Sequence, residues 1–288
     1  MKREELKNKK RIVVKIGSSS ITHPETGSQN LLKIEKLVRQ LTDLKNRGYD
    51  VALVTSGAVA VGKKSLHVKV STRGHDELSV ALKQACAAVG QAKLMTTYQK
   101  LFSEYNQMCA QVLITLKTIT DPISRRNAHN TISELFELGV VPVVNENDTV
   151  ATYEIESLGP FGDNDTLSAV VTAMVEGDLL ILLSDVDGLY TDDPNVNPDA
   201  KFIEEVDSLD EHILSMGKES TGTGMGTGGM SSKLRAARIA TSAGADMIIA
   251  SGEDVEIISR IIDGENIGTL FKADKDDTFD LDEFLGEM

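Results

Sequence analysis

RIVVKIGSSS, Arg11 to Ser20, decides the architecture. Its first six residues are almost continuously β-branched and read as a strand buried on both faces, the signature of a parallel sheet covered by helices. It then stops at Gly17 and three hydroxyl residues, the composition of a loop or a helix cap. The same alternation continues outward along the chain. A helix over Leu31 to Arg47 ends at Gly48, and Val51 to Thr55 is the next strand. A long helical region covers about Glu77 to Tyr105. Strands follow at Ala110 to Thr115 and Val140 to Val144, separated by a helix with Asp121 as N-cap and Pro122 at its first position. Leu179 to Leu183 and Asp246 to Ala250 are later strands, flanked by helices at Thr166 to Val175 and Ser231 to Ala243. The predicted fold is α/β, an open, mostly parallel central sheet sandwiched between helices. Val150 to Phe161 breaks the pattern and reads as a small hairpin or flap. No repeat or low-complexity linker divides the chain, and a division into two lobes on one sheet is expected near residues 165–175.

Composition sets the outer limits. At 288 residues with 41% apolar content, the chain can bury a full core. A net charge of −14 argues against a nucleic-acid partner, because phosphate contacts need clustered cations. Asp274 to Glu287 hold seven acids and one lysine, and this stretch is expected to be a solvated, frayed or partner-docking tail. Cys86 and Cys109 lie in no metal or redox spacing and read as reduced core cysteines. Met1 to Lys10 carry no apolar leader, and no apolar run is long enough to span a membrane. A soluble, cytoplasmic protein is expected. The five histidines are scattered without ligand spacing, so no metal site is expected.

In open α/β sheets ligands bind beyond the carboxyl ends of the strands, so the residues after each strand carry the functional argument. Lys15-Ile-Gly17-Ser18-Ser19-Ser20 can offer a cation and amide donors to a phosphate; an edge lysine beside a capping cluster reads equally well. Ser56-Gly57-Ala58, with Gly62 beyond, would let a helix N-terminus approach an anion, or would serve close helix packing. Asn145 to Thr149 place amides and carboxylates at a buried strand end, where a ligand carrying an ammonium group would satisfy them; a plain turn is the alternative. Gly162 to Thr166 contain two acids and an amide before a helix, more than capping requires. Ser184 and Asp185 sit at the mouth of the fifth strand, with Tyr190 available to pack on a nucleotide. STGTGMGTGGMSSK, Ser220 to Lys233, matches G-x-G-x-x-G without a preceding strand and lacks the P-loop order of lysine before serine. Anion-binding loops, two well-placed lysines and no nucleophile–histidine pair together fit phosphoryl transfer, where catalysis is positioning and charge stabilisation.

Six segments, VVKIGSSS, VTSGAVAVG, PVVNENDTV, FGDNDTLSA, LLSDVDGLYTDDP and GTGGMSSKLRAA, occur here in the order in which the glutamate 5-kinases carry them. The chain resembles that branch of the amino acid kinase superfamily over about residues 10–271. The resemblance implies transfer of the ATP γ-phosphoryl group to the side-chain carboxylate of L-glutamate, the first step of proline biosynthesis. It implies an amino acid kinase domain over 1–272, with a glutamate-binding lobe at about 10–165 and an ATP-binding lobe at about 166–272. The acidic tail, 273–288, then stands where many members carry a PUA domain, which is expected to be lacking. Carried over by motif, Lys15, Asp165 and Lys233 are catalytic, with Asp165 holding the two ammonium groups. Ser56, Asp148 and Asn164 bind glutamate, Asp148 taking its α-ammonium. Lys15, Ser184, Asp185 and the run Thr227, Gly228, Gly229, Met230, Ser231, Ser232, Lys233 bind ATP, with Mg²⁺ riding on the nucleotide. Ser184 and Asp187-Gly188 stand where some members use threonine and other turn residues. A homodimer or homotetramer and feedback inhibition by proline are further expectations of the family. The alternatives are an acid kinase of the same fold with another acceptor (carbamate, N-acetylglutamate or aspartate), or a non-catalytic amino acid or nucleotide sensor.

Overall fold

A computed structural model describes residues 2–68, 78–151, 163–194, 196–219, 229–276, 278, 279, 281 and 284. The expected hairpin lies outside these residues, apart from Val150 and Ala151, as do Thr227 and Gly228 of the glycine-rich stretch.

The strands are β1 (Arg11–Ile16), β2 (Asp50–Thr55), β3 (Cys109–Ile114), β4 (Val141–Glu146), β5 (Leu179–Ser184), β6 (Leu189–Tyr190), β7 (Phe202–Ile203), β8 (Glu205–Val206), β9 (Asp246–Ser251) and β10 (Thr269–Phe271). Eight of them form one sheet in the order β3-β4-β2-β1-β5-β9-β10-β8, while β6 and β7 pair separately. All neighbours in the large sheet run parallel except β9 and β10. Strands from both halves of the chain therefore share one sheet, joined where β1 pairs with β5. The helices are α1 (Ser18–Ile21), α2 (Leu31–Asn46), α3 (Ala58–Ser65), α4 (Val80–Glu104), α5 (Leu116–Thr120), α6 (Pro122–Glu137), α7 (Asn164–Met174), α8 (Glu211–Glu219), α9 (Met230–Ser242) and α10 (Ile257–Ile262).

Local signals explain the helix ends. Asn30 caps α2 by accepting from the Lys33 amide at 3.1 Å, and Gly48 beyond its C-terminus takes φ +91°, a left-handed turn that glycine adopts without a Cβ penalty. Asp121 caps α6 through the Ser124 amide at 2.8 Å, with Pro122 at the first helical position.

The pleat of β1 sorts its side chains between two apolar layers. Ile12, Val14 and Ile16 pack with α2, α4 and α10 through Leu37, Leu94 and Ile258. Val13 faces the other layer, with α6, α7 and α9 through Phe136, Val170 and Ile239. Lys15 shares the parity of Val13, so its ammonium is directed toward α7 and α9.

Three expectations change. Asn145 and Glu146 are the last residues of β4, which the sequence reading ended at Val144. Thr269–Phe271, not read as a strand from the sequence, is an inner strand of the sheet, paired on both sides. The acidic tail is not simply solvated: Phe279, Leu281 and Phe284 pack against the α6–α7–α9 layer, and the Arg238 guanidinium lies 5.2 Å from the Phe284 ring centroid. The charge of this run concealed three apolar side chains that find partners only in three dimensions. No described helix is long and apolar enough to cross a membrane.

Candidate active site

The carboxyl ends of β1, β2, β4 and β5 surround a cleft of about 1040 Å³. Lys15, Ser56, Asp148, Asn164, Asp165 and Lys233 all line it, as do Ser184 and Asp185. Residues up to 218 positions apart in sequence, Lys15 and Lys233, meet on one carboxylate.

Asp165 is that carboxylate. Asp163 occupies the N-cap of α7, accepting from the amides of Asp165 at 2.7 Å and Thr166 at 2.9 Å, and from the Thr166 hydroxyl at 3.0 Å. The capping work is thereby complete, and Asn164 and Asp165 in the first turn are left to face the cleft. Asp165 is 2% exposed. Its Oδ1 pairs with Lys15 Nζ, and its Oδ2 lies 3.2 Å from Lys233 Nζ. Burial opposes charge on Asp165, but the two ammonium groups outweigh it and hold its carboxyl below the usual carboxylate range. Asp163 shifts the opposite way, pushed up by burial and by the neighbouring Asp165 charge. Gly17 passes so close that a Cβ there would sit 3.5 Å from Lys15 Nζ. The arrangement holds two cations on the two oxygens of one buried acid, open to a cleft.

Another part of the cleft wall is acidic and amide-rich. Asn164 Nδ2 donates to the Thr55 carbonyl at 3.1 Å, to Ser56 Oγ and to Asn145 Oδ1 at 3.3 Å. Asn145 Nδ2 donates to Gln91 Oε1 of α4 at 3.0 Å. Glu146 is 8% exposed, and its Oε1 has no hydrogen-bond partner among the described residues. Burial first, and then the charge of Asp148, push the Glu146 carboxyl up to about 8. Burial pushes Asp148 up to about 6. Two carboxyls held this far above their ordinary range favour a cationic ligand, which would restore their charge.

The remaining predicted residues divide. Ser184 Oγ donates to Asp185 Oδ1 at 2.8 Å at the cleft wall. Gly229 is the N-cap of α9; Ser232 Oγ lies 3.4 Å from Asp165 Oδ2. Ser231 is exposed, and Met230 packs against the apolar layer beside α9. Tyr190, expected to be available to a nucleotide, instead meets Phe202 edge-on at 5.2 Å and donates to Asp187 Oδ2 at 3.0 Å. Gly57 turns the chain from β2 into α3 at φ +100°. Gly62 serves packing: a Cβ there would fall 1.8 Å from the Cys86 carbonyl of α4, and one at Gly90 would fall 1.7 Å from the Ala58 carbonyl.

Sequence reasoning passed over Gln91, and it took Asn145 and Glu146 as members of a polar cluster without assigning them separate roles. For Glu146 the available signal was an acid continuing a buried Val-Val run. Gln91 lies in a long, mostly apolar helix and offered none. Among the described residues no group of three or more His, Cys, Asp or Glu is arranged to hold a metal ion.

Comparison with known proteins bears on the family and the fold. The profile of the amino acid kinase family matches residues 10–251. A glutamate 5-kinase of Carboxydothermus hydrogenoformans is 52% identical over 273 residues, spanning 95% of this chain and 70% of that protein. A glutamate 5-kinase of Clostridium perfringens is 46% identical, spanning 95% of this chain and 99% of the relative. Among solved structures, carbamate kinase from Giardia lamblia bound to AMP-PNP superposes with a TM-score of 0.66 at 16% identity, over 93% of this chain and 100% of that one. UMP kinase from Ureaplasma parvum gives 0.62 at 16% identity, over 92% and 99%. At those identities the two structures share the fold.

Proposed function

The chain belongs to the amino acid kinase family, and on that premise we propose that it is an ATP-dependent glutamate 5-kinase, the first enzyme of proline biosynthesis. It transfers the γ-phosphoryl group of MgATP to the γ-carboxylate of L-glutamate, giving L-glutamyl 5-phosphate and ADP. The observation that carries the reading is the Lys15–Asp165–Lys233 bridge, buried in the wall of a cleft that Glu146 and Asp148 also line.

The chemistry follows from charge. A carboxylate oxygen of glutamate attacks the γ-phosphorus while the bond to the β,γ-bridging oxygen of ATP breaks, and the leaving ADP carries the electron pair away. Negative charge spreads over the phosphoryl oxygens and the leaving oxygen. Lys15 and Lys233 stabilise that charge from two sides, and Asp165 keeps the two like-charged ammonium groups fixed before substrate arrives, so no reorganisation is needed at the moment of reaction. Attack by an ionised carboxylate requires no proton abstraction, which agrees with the absence of a nucleophile–base pair from the proposed roles. Asp148, with Glu146 beside it, receives the glutamate α-ammonium, while Ser56 and Asn164 hold its polar atoms. Ser184, Asp185 and residues 227–233 bind the nucleotide together with Lys15; the other site residues of about 10–165 serve glutamate, and those of about 166–272 serve ATP. A cytoplasmic homodimer or homotetramer with proline as feedback inhibitor belongs to the same proposal.

The test is turnover by purified protein with MgATP, hydroxylamine and a panel of acids. Hydroxamate formed from L-glutamate and not from aspartate, N-acetylglutamate or carbamate is the expected result. Product from a different acceptor would reassign the substrate, and no turnover with any acid would overturn the kinase reading.

A further inference from the structure

The amide chain at the cleft wall proposed for glutamate runs from the Thr55 carbonyl to Gln91, a residue that does not line the cleft. Asn145 is 2% exposed and Gln91 is 6% exposed, so neither can exchange its partner for bulk water. Gln91 Oε1 accepts from Asn145 Nδ2 at 3.0 Å. An asparagine amide has one donor end and one acceptor end, so this bond turns Asn145 Oδ1 toward α7. There it accepts from Asn164 Nδ2 at 3.3 Å. The same Nδ2 is held by the Thr55 carbonyl and Ser56 Oγ, so its two protons are shared among three acceptors, Asn145 Oδ1 being the longest contact. Two consequences reach the cleft. Ser56 Oγ is already an acceptor, so its own proton is left to donate to an anionic group. Asn164 Oδ1 accepts nothing from the described residues and remains an acceptor for a ligand N–H. The Thr55 carbonyl can only accept, so it fixes the Asn164 end of this chain, and Gln91 Oε1 supplies the acceptor that closes the other end.

Gln91 reaches Asn145 because α4 lies against α3 at backbone contact distance, which only the hydrogen side chains of Gly62 and Gly90 permit. Gly90 immediately precedes Gln91 in the helix.

We infer that Gln91 is a positioning residue for the amino-acid substrate: it is the buried acceptor that holds the Asn145 amide, and with it the Asn145–Asn164 contact at the cleft wall. This rests on the assignment of that part of the cleft wall to glutamate. Gln91→Met keeps the length of the side chain and removes the acceptor, leaving a buried Asn145 N–H without its partner. Gln91→Glu retains an oxygen acceptor at the same place. The expected result is that Gln91→Met raises the KM for glutamate by about 10-fold or more, with the KM for ATP and kcat close to wild type and the urea midpoint lowered by the unpaired buried donor but still that of a folded protein. Gln91→Glu should recover most of the glutamate KM. An unchanged glutamate KM in Gln91→Met, or a Gln91→Glu variant as impaired as Gln91→Met while both remain folded, would overturn the assignment. Glutamate binding measured by calorimetry without ATP separates this from the kinase reading. A wild-type protein that binds glutamate without turnover, with binding weakened in Gln91→Met, retains the positioning role and sinks the kinase. A protein that turns over glutamate with Gln91→Met binding unchanged does the reverse.

Discussion

Glutamate binding should expel about one proton at neutral pH, and the count follows from two carboxyls. Glu146 titrates near 8 and Asp148 near 6 in the ligand-free cleft. At pH 7 the first is then protonated in about 0.9 of molecules and the second in about 0.1, so the pair holds about one proton. An ammonium group arriving beside them favours their charged forms and drives that proton off. Binding titrated by calorimetry at pH 7 in buffers of different ionisation enthalpy reads the proton count directly. About one proton should be released at pH 7, more at pH 5.5, where Asp148 is also mostly protonated, and close to none at pH 9. The Kd for glutamate should accordingly fall as pH rises, by nearly tenfold per unit around pH 7. Glu146→Gln should cut the release at pH 7 to about 0.1, leaving only the Asp148 contribution. The same shifts act on the free protein. Acids whose folded pKa is raised bind more protons folded than unfolded, so without ligand stability should decline as pH rises from about 4.5 to 8, by on the order of a few kcal/mol. Wild-type protein that releases no proton at pH 7, or a release unchanged in Glu146→Gln, would refute the placing of the α-ammonium at these carboxyls.

Three further outcomes follow. Lys233→Ala should lower kcat by about 10²- to 10³-fold with little change in the KM for glutamate, as for the loss of one transition-state donor; a raised KM with kcat intact, read in the hydroxamate assay, would contradict its role. Asp165→Asn leaves two ammonium groups, at Lys15 and Lys233, buried without their counter-charge, and should cost about 3–5 kcal/mol in denaturant titration. Because the Asp165 carboxyl lies below its ordinary range, its contribution is present at neutral pH and is lost as acid protonates it, so the gap between wild type and variant should close toward low pH. Gly90→Ala drives a methyl to 1.7 Å from the Ala58 carbonyl, and separating α3 from α4 should destabilise the protein by about 1–3 kcal/mol or more; an unperturbed urea midpoint would show that the two helices slide freely.

Much of the architecture was legible along the chain because the forces that set it are local. The Ile-Val run of Arg11–Ile16 can be stable only with both faces covered, Asp121-Pro122 can begin a helix without help, and Gly48 can end one. Strand boundaries came within two residues wherever apolar runs met glycine or polar residues. Polar residues at a buried strand end defeated this reading, since Asn145 and Glu146 extend β4 although their composition is that of a turn. Thr269–Phe271 was missed because three residues carry no periodicity; what makes them a strand is pairing with β9 and β8.

For the site, sequence alone determined which residue types stood at the ends of the strands. Only the tertiary structure decided which of them share an atom. The pleat of β1 turns Lys15 toward α7, the Asp163 cap frees Asp165 to face the cleft, and the entry of α9 sets Lys233 on the other carboxylate oxygen. Gln91 was out of reach of any one-dimensional reading, because its partner lies 54 positions away and its approach depends on the missing side chains of two glycines. The raised pKa values of Glu146 and Asp148 belong to the fold in the same way: a carboxyl is ordinary in a peptide, and its titration moves only when the surrounding chain takes water away from it.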